Sequence, residues 1–193
     1  MLDNLEKYKV ILASGSPRRR ELMAGLGVNY EVRILPDVDE SYPDTLQGEE
    51  IPLYIAKEKA DAYIPMMQPD ELIITADTIV WLDSKVLGKP RDREDALQML
   101  RTMSGRTHEV FTGVCITTTD WQRSFTAQTE VRFATLSEDE IIYYVDNFKP
   151  MDKAGAYGVQ EWIGFIGVEN ISGSYYNIMG LPVQKLYREL LKV

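Results

Sequence analysis

Cysteine and histidine are scarce in this sequence, which has one of each among its 193 residues. No disulfide can form within the chain, and a lone cysteine fits a reducing compartment. Cys115 lies in the apolar run Val114-Cys115-Ile116, a setting typical of a small buried residue rather than a catalytic thiol. No second histidine or cysteine stands near His108 to share a metal ion with it, so we interpret this residue as structural.

Long apolar runs and an excess of positive charge are also missing. No apolar stretch approaches the roughly 20 residues that a membrane-spanning helix needs, and Asp3, Glu6 and Lys7 stand where a secretion signal would be apolar. The chain has 30 acidic and 21 basic residues, a net charge of −9, so a nucleic-acid surface is not expected. We therefore expect a cytoplasmic protein that binds neither membranes nor nucleic acids.

The composition is that of a globular protein. Hydrophobic residues make up 45% and charged residues 26% of the chain, both close to average, and the length fits one domain or two tightly joined lobes. Helices and strands are predicted to intermingle, which favours an α/β fold with a mixed sheet. Helices are predicted near 17–26, 51–64, 93–103, 141–148 and from 182. Strands are predicted near 9–13, 30–35, 72–76, 79–82, 85–87, 109–118, 123–133, 164–168 and 174–178.

The turn between the first strand and the first helix combines two serines with three arginines, in Ser14-Gly15-Ser16-Pro17-Arg18-Arg19-Arg20. Ser16 and Pro17 suit the start of a helix, and a well-capped helix alone would account for them. Three cations in the first turn, however, are unfavourable at the positive end of the helix dipole. A bound anion would compensate, because backbone N–H groups, the two serine hydroxyls and at least one guanidinium, from Arg18 or Arg19, would face it. The turn therefore predicts a phosphate site, although it lacks the Gly-Lys-Ser/Thr of the Walker motif.

Two carboxylates are candidates for a metal site. Asp77 interrupts apolar residues close to a strand end, where a carboxylate is costly to bury unless it is paired or binds a metal. Glu40 lies on an acidic, irregular segment. The alternatives are a turn aspartate between two strands and a solvated surface charge. Together, two such oxygen ligands suit Mg²⁺ or Mn²⁺, with water and phosphate oxygens completing the shell.

Two lysines complete the set of candidates. Lys59 falls on the same helical stripe as Ala56, Ala60 and Tyr63, from which it could either extend along the surface or project into a cleft. Lys89 lies on a loop bounded by glycine and proline, where an exposed charge is ordinarily unremarkable.

At these residues, and along nearly the whole chain, the sequence resembles the Maf family of nucleoside triphosphate pyrophosphatases. Six segments in the family's order carry the resemblance; each is modest evidence alone, and together they are specific. They are Leu12-Ala13-Ser14-Gly15-Ser16-Pro17-Arg18-Arg19, Ala76-Asp77-Thr78-Ile79-Val80, Gly88-Lys89-Pro90, Met103-Ser104-Gly105 with His108, Asp152-Lys153-Ala154-Gly155-Ala156-Tyr157-Gly158-Val159-Gln160, and Gly173-Ser174-Tyr175-Tyr176 followed by Gly180-Leu181-Pro182.

The resemblance implies a single Maf/ITPase-like α/β domain over residues 1–193, with a long curved mixed sheet and two lobes around a central cleft. It implies hydrolysis of a nucleoside triphosphate to the monophosphate and pyrophosphate, with a divalent cation. In the family, the aspartate matching Asp77 is taken as the proton acceptor, and the glutamate matching Glu40 helps to hold the metal. Residues matching Ser14, Arg18, Lys59 and Lys89 hold the phosphates, and we place Lys153 among the substrate-binding residues.

The resemblance also bears on the base. The branch of the family that acts on dTTP and UTP is similar to this chain at Arg18, Thr78 and Gln160, the positions associated with base choice. The branch that acts on 7-methyl-GTP usually has an aromatic residue after the Ser-Pro and a glutamine after the catalytic aspartate, and this chain has neither. Glu161-Trp162 stands where the family commonly has glycine, so we expect residues 161–167 to fold differently beside the base pocket.

In the resulting hypothesis Asp77 accepts a proton from the attacking water or orients it, and Thr78 and Gln160 donate or accept hydrogen bonds at a pyrimidine. Three alternatives stay open: the same reaction on 7-methyl-GTP, the same reaction on a non-standard nucleotide, and a nucleotide-binding regulator of cell division with incidental turnover. The apolar residues around Trp162 and Phe165 are expected in the core, with a base pocket or the contact of a homodimer as the other possibilities.

Overall fold

The computed structural model describes residues 2–36 and 38–193. In this part of the chain the strands are β1 (Lys9–Leu12), β2 (Glu31–Val32), β3 (Glu71–Leu82), β4 (Lys85–Leu87), β5 (Thr107–Thr117), β6 (Gln122–Phe133) and β7 (Val168–Gly173). The α-helices are α1 (Pro17–Gly25), α2 (Glu50–Asp61), α3 (Arg93–Met103), α4 (Glu138–Phe148), α5 (Trp162–Gly167), α6 (Tyr175–Ile178) and α7 (Val183–Leu190).

The strands form one seven-stranded sheet in the order β2-β1-β3-β5-β6-β7, with β4 paired to β3. β1 is parallel to both of its neighbours and has Ile11 opposite Glu31 on one side and Ile73 on the other. β4 pairs antiparallel to β3, and β7 pairs antiparallel to β6. The predicted α/β fold with a mixed sheet is therefore confirmed.

The chain divides into two compact units. The first comprises Met1–Asp77, Thr112–Ala127 and Gly180–Val193. Its interior contains the wholly buried β1 residues Ile11 and Leu12 and, where α2 packs, Ala56, Ala60 and Cys115. Burial raises the pKa of the Cys115 thiol to about 11, which agrees with the predicted buried, unreactive residue.

The second unit comprises Thr78–Phe111 and Gln128–Met179. Its core joins the apolar faces of α3 and α4 to β6, with Leu100, Phe133 and Tyr144 fully buried. Asp92 caps α3, and Ser137 with Glu140 forms a capping box at the start of α4. His108 is buried in this core between Phe133 and Tyr157, as its structural interpretation requires.

Several predicted strands differ in the structure. Residues 72–76 and 79–82 belong to one continuous strand, β3, and residues 30–35 contribute only two paired residues. The strands predicted at 164–168 and 174–178 are wrong: α5 covers Trp162–Gly167, and Ser174 precedes the short helix α6. Residues 164–168 are mostly apolar, and a short apolar run does not distinguish a strand from a helical turn by periodicity. Residues 174–178 contain two tyrosines, a residue type enriched in strands, but both are exposed in the structure.

The expectation for the aromatic residues around α5 is also corrected. Phe165 is 78% exposed and so lies outside the core, whereas Trp162 is half-buried and packs edge-on against Tyr143. Within residues 2–36 and 38–193, no helix combines the length and the apolar character needed to span a bilayer.

Candidate active site

The turn after β1 is held by its own serines. Ser14 is buried, and its Oγ accepts a hydrogen bond from the Ser16 N–H at 3.3 Å. Ser16 caps α1, with its Oγ accepting from the Arg19 N–H at 3.4 Å, and Pro17 begins the helix. The predicted local structure is therefore present: a fixed Ser-rich turn that leads directly into a helix N-terminus.

Arg19 makes hydrogen bonds within the protein that the sequence did not predict. Its Nε donates to the Gly180 carbonyl at 2.7 Å, and its Nη1 donates to the Ala76 carbonyl at 2.8 Å and to Ser14 Oγ at 3.4 Å. Burial lowers the pKa of the guanidinium, and the nearby charge of Asp77 opposes that shift. Arg19 thus ties the serine turn to β3 and to the segment before α7, so it orders this site whether or not it contacts a substrate.

Asp77 and Lys59 are brought together by the packing of α2 on β3. Thr75 and Asp77 lie two residues apart on a strand and so point to the same face. Thr75 Oγ1 donates to the Ala56 carbonyl at 2.6 Å, and Lys59 follows Ala56 by about one helical turn. The result is a contact of 2.8 Å between Lys59 Nζ and Asp77 Oδ1. Lys59 therefore projects towards the acidic residue from the stripe on which the sequence placed it.

Glu40 completes this cluster, because its Oε1 lies 2.8 Å from Lys59 Nζ. We call Glu40 and Asp77 the acidic pair. The side chain of Glu40 is 57% exposed, whereas those of Lys59 and Asp77 are 15% and 14% exposed. The two carboxylates thus converge on one cation at the edge of a partly buried site.

The acidic pair fits a divalent cation. Lys59 Nζ already occupies a position that both carboxylates reach, and carboxylate oxygens are the donors that Mg²⁺ and Mn²⁺ prefer. Within residues 2–36 and 38–193, no group of three or more His, Cys, Asp or Glu side chains is arranged to hold a metal. Two protein oxygens, with water and phosphate oxygens as the remaining ligands, are a usual set for Mg²⁺.

Arg18 lies in the first turn of α1, in the first unit, and is half-buried. The remaining predicted residues belong to the second unit. Thr78 follows Asp77 in β3 and is half-buried, and Lys89 is exposed on the loop after β4. That loop is held by a hydrogen bond of 3.0 Å from the Gly155 N–H to the Gly88 carbonyl. Gln160 is partly buried and lies two residues before α5.

Lys153, in contrast, is buried and paired with carboxylates. Its Nζ lies 2.8 Å from Asp152 Oδ1 and 3.1 Å from Glu161 Oε1. Glu161 also accepts a short hydrogen bond from the Tyr144 hydroxyl. In the sequence, Glu161 is a departure from the family pattern, but its contacts with Lys153 and Tyr144 were not predicted.

The first unit also has a groove of about 530 Å³, whose lining includes the chain neighbours of Glu40 and Lys59. It is lined by Leu35, Pro36, Val38, Asp39, Glu58, Asp61, Ala62 and Met66. Among the lining residues that the structure describes, three are acidic and none is basic, so the groove is unsuited to a triphosphate. The candidate site is the cluster at the acidic pair.

Comparison with known proteins agrees with this architecture. The family model described as Maf-like protein matches residues 9–193. Proteins named dTTP/UTP pyrophosphatase from Bacteroides thetaiotaomicron and Phocaeicola vulgatus are 72% and 68% identical over 193 residues, covering 100% of this chain and of each relative. The solved structure of the Staphylococcus aureus Ham1 protein matches with a TM-score of 0.52 at 16% identity, covering 94% of this chain and 99% of that one, a likeness of fold alone. The chain therefore belongs to the Maf-like protein family.

Proposed function

We propose that this protein hydrolyses dTTP and UTP to the corresponding monophosphate and pyrophosphate. The observation that carries the proposal is the convergence of Glu40, Asp77 and Lys59 beside the serine turn of α1. Full-length relatives that are 72% and 68% identical bear the name dTTP/UTP pyrophosphatase, which supports the choice of reaction and substrate.

Binding of the triphosphate is assigned to cations and to the start of α1. The N-terminal turn of α1 and the hydroxyls of Ser14 and Ser16 offer donors to a phosphate oxygen. Lys59, Arg18 and Lys89 supply positive charge, because a triphosphate is too highly charged for backbone dipoles alone. Arg19 and Lys153 stay predictions as direct ligands; Arg19 donates to two backbone carbonyls, and Lys153 is paired with Glu161.

A divalent cation, Mg²⁺ or Mn²⁺, would be held by Glu40 and Asp77 and would offset negative charge on the phosphates. Lys59 contacts both carboxylates. A metal ion held by the acidic pair would take the place of its ammonium group, which would then be available to a phosphate oxygen. The chain's own contribution is thus a pair of carboxylates beside a cation that neutralises them when the metal is absent.

Asp77 is assigned the handling of the attacking water. Its carboxylate lies at the site and accepts from Lys59, so it can also accept from a water molecule. A carboxylate that also binds a cation is a weak base, and orienting the water is then its larger contribution. Thr78 and Gln160 are assigned the hydrogen bonds to the pyrimidine, because polar groups left unpaired by the wrong base give strong discrimination.

The test is a panel of triphosphates given to the purified protein with Mg²⁺ in H₂¹⁸O. The panel contains dTTP, UTP, CTP, dATP, dGTP, ITP and 7-methyl-GTP. The products are separated and identified by mass spectrometry. We expect dTTP and UTP to give the monophosphate and pyrophosphate, and the ¹⁸O atom of the attacking water to appear in only one of these two products. Release of orthophosphate, or a preference for ITP or 7-methyl-GTP, would contradict the proposal.

A further inference from the structure

The segment from Lys153 to Glu161 is held in place at several points. Gly155 and Ala156 have positive φ angles of 68° and 56°, a conformation that costs energy at Ala156 and persists only when the surroundings impose it. The Gly155 N–H bonds to the Gly88 carbonyl, and the Tyr157 hydroxyl lies 2.7 Å from His108 Nε2. This segment ends at Gln160 and Glu161, so its rigidity bears directly on where Gln160 lies.

Glu161 closes the end of the segment. One of its carboxylate oxygens lies 3.1 Å from Lys153 Nζ, at the beginning of the same segment. The other accepts the hydrogen bond from the buried Tyr144 hydroxyl of α4. The Tyr144 oxygen in turn accepts from the Gly158 N–H at 3.0 Å. Glu161 therefore joins both ends of the segment to a fixed point in the core of the second unit.

The backbone around Glu161 is packed closely enough to allow this arrangement only with glycine at two nearby positions. Glu161 immediately precedes α5, yet its side chain does not cap the helix, because its carboxylate is turned towards Lys153 and Tyr144. A Cβ added at Gly158 would lie 2.9 Å from Glu161 Cδ, and one added at Gly164 would lie 1.8 Å from the Val159 carbonyl oxygen. Glycine at both positions lets the segment and the first turn of α5 approach closely on either side of Gln160.

We propose that Glu161 is a positioning residue that determines base specificity by fixing Gln160. The inference deepens the proposed function and rests on it. Both charge and hydrogen bonding hold Glu161 in place. Its carboxylate neutralises buried Lys153 and accepts a hydrogen bond from Tyr144, so this one side chain connects the segment from Lys153 to Glu161 with α4. A glycine at this position, the residue the family commonly has, could make neither contact. Lys153 acts in this scheme through Glu161 rather than through the phosphates.

The first test compares Glu161→Gln and Tyr144→Phe with the control Glu169→Gln. Glu169 is exposed in the same unit and pairs with Arg132, so the control removes the same charge from a surface ion pair. We expect the ratio of kcat/KM for dTTP to that for CTP to fall about tenfold in both variants, chiefly through a higher KM for dTTP. The control should keep the wild-type ratio. Inhibition by inorganic tripolyphosphate should be unchanged, because that ligand has no base.

The second test is a double-mutant cycle with Gln160→Ala. If Glu161 acts through Gln160, then Glu161→Gln should lower the dTTP-to-CTP ratio in the wild-type background and leave it unchanged in the Gln160→Ala background. Additive effects, or a ratio that Glu161→Gln does not alter, would overturn the inference while leaving the proposed function intact. A wild-type protein that hydrolyses neither dTTP nor UTP would overturn both.

Discussion

Asp77 is the residue on which the proposed chemistry depends most. It contacts Lys59 at 2.8 Å, and its side chain is only 14% exposed. Asparagine has nearly the same shape but neither the charge to hold a cation nor the same capacity to accept from water. We expect Asp77→Asn to lower kcat for dTTP by about 100-fold or more, with far-ultraviolet circular dichroism unchanged.

The matched control is Asp120→Asn, which makes the same substitution at an exposed position in the turn between β5 and β6. It should keep wild-type kinetics. Asp77→Asn with turnover close to wild type would remove Asp77 from the catalytic assignment.

We expect His108 to make the stability of the protein depend on pH. Burial lowers its pKa to about 4, from 6.5 in an unfolded chain. The unfolded state therefore takes up a proton first as the pH falls. The free energy of unfolding should decrease between about pH 6.5 and pH 4 and level off below the folded pKa, with a total loss of about 3 kcal/mol from this group.

Two measurements check this expectation. Because the chain has one histidine, the Hε1 signal in proton NMR reports on His108 alone, and it should not titrate between pH 7 and pH 5 in the folded protein. In urea titrations, His108→Gln should show a smaller loss of unfolding free energy than the wild type over the same range. Equal losses would mean that other groups set the pH dependence.

At the residue scale, sequence reasoning succeeded where residue type and spacing determine the environment. Lys59 was placed by helical periodicity, and its stripe partners Ala56 and Ala60 are indeed buried. The hydrogen bonds from Arg19 to two backbone carbonyls were not predicted. Every residue has a backbone carbonyl, so the residue types in the sequence do not indicate which carbonyl accepts. The partners of Glu161 were missed for a related reason: Tyr144 is 17 residues away, and only the fold brings the two together.

Elements were predicted best where their ends carry specific signals. The helix from 93 to 103 has an aspartate cap, and the helix ending at 148 begins with a capping box, so both were found. The helix from 162 to 167 has no such signal: no side chain caps its start, and it leads directly into β7. A short apolar run without a cap is consistent with either a strand or a helix.

The packing of α2 on β5 predicts a strict requirement for glycine at position 113. A Cβ at Gly113 would lie 2.3 Å from the Pro52 carbonyl oxygen and 2.4 Å from the Leu53 nitrogen. Both are backbone atoms and cannot rotate away. We expect Gly113→Ala to lower the free energy of unfolding by about 3 kcal/mol, measured by urea denaturation.

Gly25→Ala is the matched control, because a Cβ added there meets no atom within 4 Å and the residue ends helix α1. Alanine is favoured over glycine in helices by up to about 1 kcal/mol, so this variant should be as stable as the wild type or slightly more so. Equal destabilisation by the two substitutions would show that the close approach at Gly113 is not the cause.

The molecule as a whole is acidic, whereas the start of α1 is locally basic. Its net charge of −9 disfavours the approach of any polyanion, yet Arg18, Arg19 and Arg20 follow one another at the start of α1. A small anion accompanied by a divalent cation resolves this conflict, because the metal cancels part of the triphosphate's charge. Binding of metal and of nucleotide should therefore each strengthen the other.

Thermal unfolding tests that coupling on the intact chain. The ligand is a dTTP analogue with a methylene group between the first and second phosphates, which resists hydrolysis. At 100 times its Kd, a ligand stabilises the folded state by about 2.7 kcal/mol, and for a chain of this length that raises Tm by roughly 5 to 10 °C. We expect this shift with Mg²⁺ and analogue together, and a much smaller one when EDTA replaces Mg²⁺.

Glu40→Gln should reduce the shift by removing one of the two carboxylates of the acidic pair. Glu21→Gln, which changes an exposed glutamate of α1, should leave it intact. The same shift in EDTA as in Mg²⁺ would mean that cations of the protein alone bind the triphosphate. In that case Lys59 would have to remain between Glu40 and Asp77 while the nucleotide binds, and the two carboxylates would serve to orient that lysine rather than a metal ion.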